Sequence, residues 1–164
     1  GWRVREVVAH MTMLYRSSLP RFLVGMLRAR FDFNRFADRY ARATTERLGD
    51  DDLLQLLRDN ITNPWTPPGG GKAGALSHDV IHGLDITEPL GLPGPPAERV
   101  AMMLASAGPR NLEYFGVDLN GVRLTATDAD VSIGDGRTQS LPAREILLVV
   151  TGRRALADDT EESA

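Results

Sequence analysis

The chain holds three histidines, and two of them stand four residues apart in ALSHDVIHGLDI: His78 and His82. The third, His10, lies far upstream in WRVREVVAHM. Residues four apart on a helix share one face, so an i, i+4 histidine pair can direct two imidazoles at one point. His78, His82 and Asp85 fall within an arc of roughly 60° at the helical repeat, opposite Leu76, Val80 and Leu84. His10 sits at the edge of its own apolar stripe, beside Val7 and Leu14, where a ligand from a second helix would have to be. Three neutral imidazoles and one open position make the donor set of a catalytic divalent-metal site. Asp85 would then accept a hydrogen bond from a ligating imidazole and orient it. The plainer alternative is a solvated face, since polar residues opposite an apolar stripe ordinarily meet water. Spacing alone leaves both open.

Other chemistries are poorly served. The chain has no cysteine, which removes disulfides, thiolate ligands and a cysteine nucleophile. No serine lies in a nucleophile-elbow context. An enzyme built on this sequence must therefore activate a water or an external thiol at a metal. The three aspartates of GDDDLLQLL lack the alternating spacing of a calcium loop and fit helix capping instead. The GGGK run lacks the spacing of a phosphate-binding loop and follows no strand.

The elements that must position the histidines follow from periodicity. Val4, Val7, Val8, Met11, Leu14 and Tyr15 mark one helix over residues 4–15. A helical pattern runs from Arg21 to Leu48, with Pro20 in its first turn and a break at FDFN, where Asp32 or Asn34 would cap a new start. A short helix follows Gly49. Residues 63–74, NPWTPPGGGKAG, read as a loop, a flap leading directly into the histidine helix. Residues 96–107 form a helix with Val100, Met103 and Leu104 inward. YFGVDL and VRLTATD flank Asn120-Gly121 and predict a hairpin, with a third strand in DVSIGDG. SLPAREILLVVTGRR then predicts a helix opened by proline and closed by Gly152. The fold class is mainly α with a small α+β C-terminal unit: a helical bundle over 1–110, a β-β-β-α unit over 111–157 and an acidic tail at 158–164.

Bulk composition sets the outer limits. At 164 residues, with 42% hydrophobic and 25% charged side chains, the chain suits one compact domain or a domain with a small appendage. The net charge of −3 gives no footprint for nucleic acid. No apolar run approaches the ~20 residues that span a bilayer. A cysteine-free chain suits a cytoplasmic setting.

GWRVREVVAHM, FNRFADRYARA and HGLDITEPLGLP together resemble the mycothiol-dependent maleylpyruvate isomerase family, within the DinB-like superfamily of four-helix metalloproteins. GVRLTATDADVSIGDG and LPAREILLVVTGR resemble the C-terminal region of uncharacterised members, so the likeness covers nearly the whole chain. It implies an up-and-down bundle, with a further helix expected before Gly1. It also implies a divalent metal, zinc foremost and nickel among the other occupants, on His10, His78 and His82. Asp85 matches the family's H-x-x-D position. The isomerase itself has a glutamate where this chain has His78; the all-histidine set is more typical of the wider superfamily and makes a stronger Lewis acid. The implied activity is activation of a mycothiol-like thiol for isomerisation or S-transfer on a small electrophilic substrate. Small-molecule substrate and thiol are then the partners, and a homodimer is among the assemblies that the sequence leaves open. The alternative is a non-catalytic bundle that binds a divalent metal, and after it a structural protein with incidental histidines.

Overall fold

The structure, a computed structural model, describes residues 1–67 and 70–156. The acidic stretch 158–164 lies outside the described residues. The fold is mainly helical, with a small three-stranded sheet and a C-terminal helix. The chain divides into two compact units, Gly1–Leu92 and Pro93–Ala164. The division falls earlier than residue 110, so the helix read at 96–107 belongs to the second unit rather than to the bundle.

The first unit is built on α1 (Val4–Met11), which α4 (Phe33–Thr45), α5 (Asp50–Asp59) and α6 (Gly71–Thr87) pack around. The helix expected over 4–15 breaks at Thr12 and resumes as α2 (Met13–Arg16). Thr12 Oγ1 donates back to the carbonyls of Val8 (3.1 Å) and Ala9 (3.3 Å), a local bond that distorts a helical turn. Ala9, Ala41 and Leu53 form one buried cluster, and Met13, Ala29 and Phe36 another. α3 (Leu19–Arg28) carries Pro20 in its first turn, and Asp32 caps α4 by accepting from the Arg35 backbone N–H at 3.0 Å. The aspartates after Gly49 behave as a cap: Asp52 accepts from the Gly49 N–H at 3.0 Å.

One polar tie crosses this interior. Glu6, 2% exposed, accepts from the Arg3 backbone N–H (2.8 Å), the Arg3 guanidinium (2.6 Å) and the Thr45 hydroxyl (3.0 Å). The bonds from Arg3 outweigh the cost of burial and hold the Glu6 carboxyl down at about 2.

The second unit contains α7 (Ala97–Ala105), α8 (Pro109–Phe115), β1 (Val122–Ala126), β2 (Ser132–Gly134), β3 (Arg137–Leu141) and α9 (Ala143–Val150). Val100, Met103 and Leu104 are buried as their spacing predicts. The expected hairpin across Asn120-Gly121 does not form. Tyr114 and Phe115 instead end α8, which Gly116 stops in the left-handed conformation (φ 67°). The antiparallel partner of β1 is β2, with Leu124 opposite Ile133, and β3 adds in parallel on the other edge, Leu124 opposite Gln139. Between them the chain crosses hard against the start of β1: a Cβ at Gly136 (φ 116°) would lie 2.4 Å from the Gly121 carbonyl. α9 is buried from Ile146 to Val150, and Asp128 caps its first turn by accepting from the Ala143 N–H at 2.7 Å. Gly152 closes it at φ 67°.

Candidate metal centre

His10 lies in the last turn of α1, and the imidazole is buried with Val7 and Ala9, 5% exposed. α6 starts at Gly71, four residues inside the stretch read as a loop, and presents His78 and His82 on successive turns of one face. Val80 and Leu84, on the opposite side, are also buried. The histidine face is therefore not a solvated one, and the His78 and His82 side chains are each 17% exposed.

The three rings meet. Their centroids lie 5.3 Å (His10–His78), 4.6 Å (His10–His82) and 4.8 Å (His78–His82) apart. One ring nitrogen from each lies within 4.8 Å of the others, a group that could hold a metal ion. Tetrahedral bonds of 2.0–2.1 Å would set nitrogens roughly 3.3 Å apart. Closing the triangle around an ion thus takes side-chain rotations on the order of 1 Å.

Two features make the donor set fit a cation. His10 Nδ1 and His78 Nε2 are buried and have no hydrogen-bond partner, a cost on the order of 1–3 kcal/mol each that coordination would relieve. His82 Nδ1 lies 2.9 Å from Asp85 Oδ2, so the Nδ1–H tautomer donates to the carboxylate and leaves the Nε2 lone pair for a ligand. His78 Nδ1 has an analogous but longer contact, 3.3 Å, to the exposed Asp79. Burial, and then the neighbouring His82 and His78, push the His10 imidazole down to about 3, against a smaller upward pull from Asp85. At neutral pH it is an uncharged ligand.

Four aromatic side chains, not assigned to the site by sequence, surround it. The Trp2 ring lies 5.0 Å from His10 and is held by its Nε1–H donating to Asp38 at 2.8 Å. Phe33 meets His10 edge-on at 6.5 Å. From the proline-rich loop, Trp65 meets His78 edge-on at 6.5 Å and Tyr15 at 6.0 Å. That loop is seated on the histidine helix where a side chain is missing: a Cβ at Gly74 would lie 2.8 Å from Pro67 Cγ. Only contact order in space links these aromatics to the histidines; no periodicity does. Among the described residues no helix is long and apolar enough to cross a membrane. The chain matches no protein-family profile, no curated protein and no solved structure.

Proposed function

We propose that this chain is a metal-dependent enzyme of the DinB-like kind, with an external low-molecular-weight thiol, mycothiol-like, as co-substrate. The reaction class is isomerisation or S-transfer on a small electrophilic substrate. The observation that carries the metal is the pair of buried, partnerless ring nitrogens within a three-histidine cluster. The thiol rests on the sequence resemblance to the mycothiol-dependent isomerases and on the absence of any cysteine from the chain.

A divalent cation in such a site supplies Lewis acidity, lowering the pKa of a thiol or water at its open position. The chain's own groups do the rest. His10, kept neutral by burial, donates a lone pair without competition from protons at physiological pH. Asp85 holds the His82 ring and its tautomer, and makes the imidazole a better donor. Trp2, Phe33 and Trp65 screen the cluster from water and so strengthen electrostatic interactions inside it. His10, His78 and His82 would hold the cation as three neutral donors, a set that would leave its charge uncompensated and suit an anionic co-substrate such as a thiolate. Zinc is the favoured ion, and imidazoles also accept nickel and cobalt.

Cobalt-substituted protein tests this directly. A small thiol should add a sulfur-to-metal band and shift the visible spectrum of the cobalt site. The loaded protein should then turn over a cis-enedioate with thiol present and not without it. A spectrum indifferent to millimolar thiol, together with no thiol-dependent turnover, sinks the enzyme and leaves a metal-binding bundle.

A further inference from the structure

A second feature of the first unit lies between α3 and α4. Two adjoining hollows of about 470 and 550 Å³ share Arg21, Phe36, Tyr40 and Arg47 in their walls. Arg16 joins the wall of the first, and Arg28 and Arg39 that of the second. Five exposed arginines thus border one trough, and no aspartate or glutamate is among its lining residues. Elsewhere in the unit Arg3, Arg5 and Arg42 pair with Glu6, Asp50 and Asp38, while Arg30, Arg35 and Arg58 form no such pair among the described residues. None of the five trough arginines has such a partner among the described residues. Arg39 instead donates to the Arg28 carbonyl at 3.1 Å, fixing one wall across the two helices.

The floor is apolar and aromatic. Phe36 is buried, and the half-buried Tyr40 lies 6.2 Å from it, ring to ring. Guanidinium forks match phosphate and carboxylate oxygens in pairs, while an aromatic floor accepts a planar body. Clustered like charges without counter-charges repel, and an anion relieves that repulsion. The volumes suit a ligand of nucleotide size rather than a bare ion.

We infer that this arginine trough is a binding site for a small organic polyanion, a phosphate- or carboxylate-bearing molecule with a planar apolar part. It is formed by residues other than the three histidines and stands whether or not the metal reading does. Arg21 and Arg47, common to both hollows, supply the main oxyanion contacts.

Calorimetric titration with adenosine diphosphate, pyrophosphate and adenosine, on chelator-stripped protein, tests the inference. One saturable site for adenosine diphosphate is expected, at least tenfold tighter than for pyrophosphate or adenosine alone and weakened by added salt. R21A/R47A should weaken it tenfold or more with an unchanged melting temperature, whereas R35A, outside the trough, leaves it as it was. Binding should persist in His82→Ala, which separates the trough from phosphate captured at the histidines. The inference fails if none of the probes saturates by millimolar concentration. It fails equally if R21A/R47A binds like the parent, if His82→Ala abolishes binding, or if a single-stranded oligonucleotide binds tenfold tighter than the nucleotide.

Discussion

Burial keeps the His10 imidazole neutral down to about pH 3, while in the unfolded chain it takes up its proton near the ordinary 6.5. As pH falls below about 6.5 the unfolded state therefore binds a proton that the folded state refuses, and stability declines. The contribution is fully present above that value and is lost progressively toward pH 3, at no more than about 1.4 kcal/mol per pH unit. Urea midpoints of chelator-treated protein should fall between pH 7 and pH 5, and His10→Gln should show a shallower fall. Equal slopes for the two proteins would mean that His10 is not held neutral by the fold. Glu6 acts in the opposite sense of charge and in a lower window, its contribution being lost between about 4.5 and 2, so it does not confuse the comparison. At this scale the sequence was informative in part: helical spacing put His78, His82 and Asp85 on one face and His10 at the edge of an apolar stripe, and left open whether that face met water. It was silent on Trp2 and Trp65, because a loop aromatic reaches a helix through folding and not through any repeat.

Among the elements, the packing of α3 on α4 hangs on one missing side chain. A Cβ at Gly25 would sit 2.3 Å from the Phe36 ring, and Phe36 is buried with its ring against Phe22, Phe33 and Tyr40. Alanine in a helix gains up to about 1 kcal/mol over glycine, but overpacking a core costs about 1–3 kcal/mol. The clash should win, so Gly25→Ala is predicted to lower the unfolding free energy by about 1 kcal/mol or more in denaturant melts; a stabilised variant would refute the close packing. Elements with their own signals were legible: the Asp32 cap, the stripe of α7, and α9 between Pro142 and Gly152. The strands were not. RTQSL, which forms β3, has neither an apolar run nor alternation, and becomes a strand by pairing in parallel with β1. YFG reads as a strand by composition, yet α8 takes Tyr114 and Phe115 before Gly116 turns the chain.

For the whole molecule, the boundary between Leu92 and Pro93 was hidden for a related reason. The inward stripe of α7 says that the helix is buried, not which neighbours bury it. The division does place all three histidines and both tryptophans, Trp2 and Trp65, in the first unit, so intrinsic tryptophan fluorescence reports on the unit that carries the site. A zinc concentration one hundred times the dissociation constant would stabilise that unit by about 2.7 kcal/mol. The most direct test is stoichiometry: chelator-stripped protein, reloaded with zinc, dialysed and assayed for bound metal, beside His82→Ala handled identically. One tightly held ion per chain, lost or greatly reduced in the variant, is the predicted result. Substoichiometric zinc in the parent, or an undiminished ion in His82→Ala, would contradict a centre built on His10, His78 and His82.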